Sequence, residues 1–479
     1  MLFNSIEFLI FLPIVFCTYW LLNGKNVRAQ NILLVITSYF FYGWWDWRFL
    51  SLIAFSSVVD YLIGIGLGRT NNITKRKLLL LTSISVNIGF LGFFKYFNFF
   101  AESFNEAFTF LGEPITDPIL LNVILPVGIS FYTFQTLSYS IDTYRRKLQP
   151  TKDIIAFFAF VSFFPQLVAG PIERATNLLP QFHKQRVFSY DQASDGMRQI
   201  LWGLFKKVVI ADNCAIYAND IFSNYASYSG STLLLGAIFF AFQIYCDFSG
   251  YSDIAIGTSR LFGFNLMRNF AFPYFSRDMA EFWRRWHISL STWFRDYVYI
   301  LLGGSRGGKW LNIRNIFIIF IVSGFWHGAN WTFIIWGALN AIYFLPLMLL
   351  NKNRLHTNTV AEGAILPNAK EILQMGTTFF FTVIAWVFFR SETVVDAFSY
   401  LSEMLSFSLF TYPEVFPKRT ILLVALFVLF EWIQRNKQHA LQFVNFEYPS
   451  IFRWGLYYGI IFSLFSFGGT QQEFIYFQF

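Results

Sequence analysis

Two histidines, His287 and His327, stand where charged and aromatic side chains are most dense, in residues 281–296 and 323–331. A histidine buried among apolar side chains loses its charged form and stays neutral near pH 7, which a general base requires. His327 could therefore take the proton of a hydroxyl during acyl transfer. Asn330 could donate a hydrogen bond to the developing oxyanion. The alternative for each histidine is a structural hydrogen bond between helices.

Residues 281–296 predict one amphipathic helix, at about 100° per residue. Arg284, His287, Ser291 and Arg295 fall on one face, and tryptophans dominate the other. Arginines on or beside the His287 face could bind an anionic cytosolic donor, such as the phosphates of coenzyme A. Alternatively, they only set topology and contact anionic lipid. The predicted donor-binding residues are Arg284, Arg285 and Arg295.

Residues 323–331 predict a second polar stripe, on which Ser323, His327 and Asn330 share a helical face. The run before it, residues 316–322, is apolar throughout, so His327 stands at or near the end of a membrane-spanning helix. An ionisable group there is costly and indicates a function. No third ligand at helical spacing accompanies the two histidines, so no metal site is predicted.

A further cluster of polar residues lies in the stretch 243–253, where Gln243, Asp247 and Gly250 share a helical face. An aspartate in an apolar helix needs a partner, and an arginine or a histidine is the natural one. A buried aspartate that only braces the helix bundle is the alternative to a direct catalytic role.

The last stretch, residues 468–479, is an aromatic tail that follows a pair of glycines. Such a tail can enter a cavity and present one hydroxyl, that of Tyr476. The alternative is an aromatic anchor at the membrane interface.

Composition identifies a polytopic membrane protein. Of the 479 residues, 55% are hydrophobic and only 13% are charged, whereas soluble chains average about 25% charged residues. The net charge of +8 arises from basic residues in short loops. This pattern is the positive-inside bias of membrane proteins, and no nucleic-acid partner is expected. The three cysteines are widely spaced, which indicates neither disulfides nor a cysteine metal site.

Apolar runs recur along the chain and predict an all-α bundle of about eleven transmembrane helices, several of them tilted or buried. Basic residues concentrate in alternate loops, which places these loops in the cytoplasm and the N-terminus outside. Residues 153–170 have basic residues on both sides and contain Pro165, which predicts a broken or re-entrant helix. The runs are 6–22, 31–45, 49–68, 78–100, 119–141, 153–170, 231–246, 313–331, 332–350, 371–389, 419–433 and 451–467.

No linker or repeat divides the chain. We therefore expect one integral-membrane unit over residues 1–479, with short peripheral helices on its cytoplasmic side. Its motif-bearing core covers about residues 160–350.

Five motifs stand in order along the chain, at residues 165–172, 247–253, 282–291, 293–297 and 324–331. They closely resemble the membrane-bound O-acyltransferase (MBOAT) family, in the branch that contains the membrane subunits of alginate O-acetyltransferases. The resemblance implies helices around a central funnel or tunnel, with an acyl donor that enters from the cytoplasm. The family's invariant histidine matches His327, and its second histidine matches His287. The side chains expected to line the tunnel or support the reaction are Ser323, Asn330, Gln243 and Asp247.

The resemblance further implies an O-acetyltransferase of the bacterial inner membrane, with no bound cofactor and acetyl-CoA or another acyl thioester as donor. A periplasmic partner of the SGNH-hydrolase-like type would then place the acyl group on a polysaccharide of the cell envelope. The tail resembles an accessory protein of teichoic-acid D-alanylation, which suggests that Tyr476 carries the acyl group as an ester. The alternative function is a transporter or flippase of a lipid-linked sugar. It predicts charges spread over several spans, whereas here they concentrate near two histidines and one aspartate.

Overall fold

The protein is mainly helical in the part that the computed structural model describes, residues 1–22, 26–110, 120–121, 124–168, 170–442, 449–468 and 472–475. These ranges contain no β-strand, which confirms the all-α prediction. A helix satisfies its own backbone hydrogen bonds, and a bilayer offers no water to do so. The α-helices of the first part of the chain are α1 Ile6–Leu21, α2 Val27–Gly43, α3 Leu50–Arg69, α4 Ile73–Leu91, α5 Phe97–Phe110, α6 Ile129–Tyr144, α7 Ile154–Ser162, α8 Phe164–Leu167 and α9 Ala175–Leu178.

Eleven more α-helices follow in the described residues of the second part of the chain. They are α10 Tyr190–Leu204, α11 Asp212–Ser223, α12 Gly230–Leu261, α13 Met279–Arg285, α14 Ile288–Phe294, α15 Lys309–His327, α16 Trp331–Leu349, α17 Ala369–Arg390, α18 Val394–Met404, α19 Lys418–Ile433 and α20 Ser450–Phe467.

Five helical stretches in the described residues are long and apolar enough to cross a membrane, and α1 is a shorter apolar helix. The protein is therefore a multi-pass membrane protein. The count of about eleven transmembrane helices remains a prediction. The five stretches are Trp47–Arg69, Ile73–Phe110, Gly230–Leu261, Trp331–Leu349 and Ala369–Arg390.

The described chain forms two compact units, of which the first comprises residues 1–193 and 258–266. Its interior is organised around Asp60 of α3, which is fully buried. The Asp60 carboxylate accepts hydrogen bonds from Ser83 and Asn87 of α4 and from Ser140 of α6. A buried carboxylate with several donors ties three helices together, because each unmade bond would cost free energy.

The predicted break near Pro165 is confirmed in this unit. Helix α7 ends at Ser162, Phe163 has a non-helical backbone, and α8 begins at Phe164. The side chain of Gln135 donates to the carbonyl of Phe160 at 2.7 Å. A side chain thus satisfies a backbone group at the end of α7, as a helix terminus inside a membrane protein requires.

The second unit comprises residues 194–257 and 267–479. Helices α15 and α16 approach each other closely in it because two glycines face the contact. A Cβ on Gly324 would lie 2.2 Å from the carbonyl oxygen of Phe333, and one on Gly337 would lie 2.4 Å from that of Phe320. Small residues commonly allow such packing between membrane helices.

The prediction of one continuous helix over residues 281–296 is wrong. Helix α13 ends before Trp286, which is extended, and α14 begins after His287, whose φ is +41°. The N–H of Ile288 donates to the carbonyl of Asn269 at 2.9 Å. This partner is distant in sequence, so the helical periodicity of the side chains did not reveal the break.

Candidate active site

His327 is the last residue of α15 and is buried in an aromatic box. Its ring centroid lies 4.8 Å from that of Trp326, 5.2 Å from that of Trp336 and 5.3 Å from that of Phe389. The last two rings meet it edge to face, which fixes the plane of the imidazole. A helix end and two neighbouring helices, α16 and α17, therefore hold this ring in one orientation.

His287 lies beside His327. Its side chain is buried at the break between α13 and α14, and its ring meets Phe248 of α12 edge to face at 4.6 Å. The two imidazole centroids are 6.4 Å apart, a separation too long for a direct hydrogen bond between the rings. Burial lowers the pKa of His287 to about 3, so this ring is neutral at physiological pH.

Ser323 and Asn330 have different positions relative to His327. Ser323 is buried one turn before His327 on α15. Asn330, however, precedes α16: its side-chain oxygen accepts the N–H of Thr332 at 3.0 Å, and its amide donates to the carbonyl of Glu392 at 2.9 Å. The prediction that Asn330 shares a helical face with His327 is therefore wrong, because α15 ends at His327.

The arginine face predicted around His287 is not present, because the helix breaks there. Arg284 donates to the carbonyls of Asn353 and His356 at 2.8 and 2.6 Å. Arg285 pairs with Glu281 at 2.8 Å. The arginines that flank the break are thus engaged with other groups.

The third predicted donor-binding residue, Arg295, lies in a π-helical turn after α14. Its side chain is 59% exposed and pairs with Asp296. Whether any of the three predicted arginines binds the donor remains a prediction.

Asp247 on α12 is buried and has a lysine partner instead of the predicted arginine or histidine. Its Oδ1 lies 2.8 Å from the Nζ of Lys207, which also pairs with Asp212 at 2.8 Å. One turn earlier on α12, Gln243 is buried. Its Oε1 has no hydrogen-bond partner in the part of the chain that the structure describes.

Sequence reasoning missed a polar cleft that shares a wall with His287. The wall is Phe270, whose ring is stacked 6.3 Å from the His287 ring. Lys206, in a π-helical turn after α10, pairs with Asp253 at the cleft, and Arg268 also lines it. A signal was present in the sequence, since Lys206 and Lys207 stand together between apolar residues.

Tyr476 lies outside the residues that the structure describes. Its role as an acyl carrier therefore stays a prediction. The described segment immediately before it, residues 472–475, belongs to the second unit.

A multi-pass helical chain with two adjacent buried histidines defines an integral-membrane protein with an interior polar site. The chain belongs to the membrane-bound O-acyltransferase (MBOAT) family, whose family model matches residues 39–389. It is accordingly a membrane O-acyltransferase.

Three relatives illustrate the range of the similarity. The chain is 44% identical to the probable alginate O-acetylase AlgI of Pseudomonas syringae pv. tomato over 410 residues, which is 85% of this chain and 76% of the relative. It is 32% identical to the peptidoglycan O-acetyltransferase of Helicobacter pylori, across 100% of this chain and 98% of the relative. It is 29% identical to the teichoic acid D-alanyltransferase of Bacillus subtilis over 251 residues, which is 50% of this chain and 62% of the relative.

Proposed function

We propose that this acyltransferase takes an acetyl group from cytosolic acetyl-CoA and passes it across the bacterial inner membrane for O-acetylation of a cell-envelope polysaccharide. The observation that carries the proposal is the juxtaposition of His287 and His327 in a buried aromatic site. The names of the alginate and peptidoglycan relatives support a polysaccharide as the final acceptor.

His327 is the general base in this proposal. The neutral imidazole takes the proton of an acceptor hydroxyl while the hydroxyl oxygen attacks the thioester carbonyl and forms a C–O bond. The carbonyl oxygen becomes an oxyanion. The C–S bond then breaks, and the thiolate of coenzyme A receives the proton from His327. The products are an ester and the free thiol of coenzyme A.

His287 stabilises the oxyanion in this scheme. Its pKa of about 3 keeps it neutral, so it offers one N–H donor without a buried positive charge. The two imidazole centroids lie 6.4 Å apart, so the rings are close enough to act on the same reacting group and too far apart to hydrogen-bond to each other. A hydrogen-bond donor fixed at the developing negative charge contributes strongly to catalysis in a site without bulk water.

The donor enters through the polar cleft of Lys206 and Arg268, whose wall ring, Phe270, contacts His287. Lys206 and Arg268 in its lining are cations, which suit the phosphates of coenzyme A. The thioester end then needs to pass only this ring to reach the histidines. Arg284, Arg285 and Arg295 are the competing donor site that the sequence predicts.

The acceptor hydroxyl is that of Tyr476 or belongs to the final acceptor. In the first case Tyr476 carries the acetyl ester, and a periplasmic SGNH-type partner transfers it to the polysaccharide. In this proposal about eleven transmembrane helices surround a central funnel, and the N-terminus lies outside the cytoplasm.

The decisive experiment is intact-protein mass spectrometry, with parallel measurement of free coenzyme A, on purified protein incubated with acetyl-CoA. The wild type should gain one acetyl group, and His327→Ala and Tyr476→Phe should not. His183→Ala is the matched histidine control, because His183 contacts Thr151 in the first unit. Neither an adduct nor free coenzyme A from the wild type would refute the proposal.

A further inference from the structure

The backbone of residues 472–475 is hydrogen-bonded to the rest of the second unit. The N–H of Ile475 donates to Oδ2 of Asp247 at 2.8 Å, in a buried position. The Nζ of Lys207 donates to the carbonyl oxygen of Gln472 at 3.2 Å. The side chains of Phe474 and Ile475 are almost completely buried. The segment is therefore held by two side chains that recognise backbone groups.

The same two side chains form a buried ion pair. The Lys207 and Asp247 side chains are each 2% exposed, and their charged atoms lie 2.8 Å apart. Asp212 contacts the same lysine at 2.8 Å. Burying charges costs free energy, so such a pair is weak evidence for stability alone. A pair that only braced the bundle would not need hydrogen bonds to residues 472–475.

The local backbone also departs from a regular helix where this pair lies. Lys207 lies in the π-helical turn Phe205–Ala211 between α10 and α11. Single π-helical turns are rare and occur frequently at functional sites. Helix α12 supplies Asp247 opposite it.

The attached segment lies one aromatic ring away from the histidine pair. The Phe474 ring is 4.2 Å from that of Tyr251 and 6.3 Å from that of Phe248. Phe248 in turn meets His287 edge to face at 4.6 Å. The ion pair therefore fixes the segment at the wall of the proposed active site.

We propose that Lys207 and Asp247 are positioning residues, which hold residues 472–475 so that the next residue in the chain, Tyr476, is presented to the acyl donor. This role rests on the proposed function. A flexible acceptor would visit the donor rarely, whereas an attached one reacts as if at high local concentration. Because both contacts go to backbone groups, side-chain changes at Gln472 should be tolerated.

The attachment is tested by hydrogen exchange of the peptide that contains residues 472–475, followed by mass spectrometry. The wild-type Ile475 amide should be protected, because it is buried and hydrogen-bonded. Asp247→Ala should remove this protection. The fold should survive the substitution, since Lys207 keeps Asp212 as a partner. Unchanged protection in Asp247→Ala would refute the attachment, whatever happens to acetylation.

The positioning role is tested by the rate at which the acetyl adduct forms. Ile475→Pro removes the N–H that Asp247 accepts but leaves the ion pair intact. Ile475→Val is the matched control, because it keeps this N–H and most of the buried side chain. Asp247→Ala and Ile475→Pro should slow adduct formation on the order of a hundredfold, while Ile475→Val should stay near wild type.

The dependence on acetyl-CoA concentration separates positioning from a merely structural effect. In Asp247→Ala and Ile475→Pro the maximal rate of adduct formation should fall, while the acetyl-CoA concentration that gives half of this rate should stay near the wild-type value, because neither substitution is in the proposed donor cleft. A raised half-saturating concentration at an unchanged maximal rate would refute the positioning role, as would normal adduct formation in Ile475→Pro; both leave the proposed function intact. No adduct in the wild type would refute the Tyr476 acceptor, and with it the positioning role.

Discussion

His287 and His327 come from separate elements, and their ring centroids lie 6.4 Å apart. Both stand where a helix is interrupted: His327 ends α15, and His287 has a left-handed backbone between α13 and α14. A left-handed backbone costs a non-glycine residue about 1–2 kcal/mol. Such strain persists mainly where a function maintains it. The break at His287 is therefore best understood as the means by which its ring lies beside that of His327.

Replacement of His327 by alanine should abolish acyl transfer without unfolding the protein. Loss of a general base costs about 10²–10⁴ in rate. The check is coenzyme A release from acetyl-CoA together with the elution volume of the detergent-solubilised protein. His183→Ala should match wild type in both measurements, because His183 lies in the first unit. Full activity in His327→Ala would exclude it as the base.

His287 should make the protein less stable in mild acid. Its pKa is lowered from 6.5 to about 3 by burial, so the unfolded chain binds a proton below pH 6.5 that the folded chain does not. The stabilisation present above pH 6.5 is thus lost as the pH falls from 6.5 toward 3, at up to about 1.4 kcal/mol per pH unit. The measurement is the apparent melting temperature in detergent between pH 7.5 and 5.

The matched variant for that experiment is His287→Asn. Asparagine tolerates the left-handed backbone and has no titrating group. Its melting temperature should depend less steeply on pH than that of the wild type. Equal pH dependence in the two proteins would show that His287 already titrates near its ordinary pKa.

The sequence predicted the helical class and singled out the two histidines because both have local signals. Apolar runs specify membrane helices, and the two polar motifs mark His287 and His327. It also predicted the break near Pro165, since a proline disrupts the hydrogen bonds of the helix that contains it. The break at His287 has no local signal of this kind, because the carbonyl that receives the Ile288 N–H belongs to Asn269.

The partner of Asp247 shows the same limit. Its charge required a cation, which the sequence indicated correctly, but many cations were available. The choice of Lys207 depends on how α12 packs against the π-helical turn Phe205–Ala211. Helical periodicity within one segment contains no information about that packing.

Arg268 should contribute to donor binding more than Arg295 does. Arg268 lines the cleft beside His287, whereas the Arg295 side chain is 59% exposed and pairs with Asp296. A lost hydrogen bond to a charged group costs about 1.5–3 kcal/mol. Arg268→Gln should therefore raise the KM for acetyl-CoA at least tenfold with a smaller effect on kcat, and Arg295→Gln should change neither. The reverse result would place the donor on the arginine face that the sequence predicts.

Gly324→Ala should destabilise the contact between α15 and α16 and thereby displace His327, one turn further along α15. The added Cβ would lie 2.2 Å from the carbonyl oxygen of Phe333, a backbone atom that cannot move independently. Overpacking of this kind costs about 1–3 kcal/mol, so both the melting temperature and acyl transfer should fall. Gly376→Ala is the control, because its Cβ would meet no atom within 4 Å and alanine favours the helix. If both variants melt as the wild type does, close packing of α15 on α16 is not what holds His327 in place.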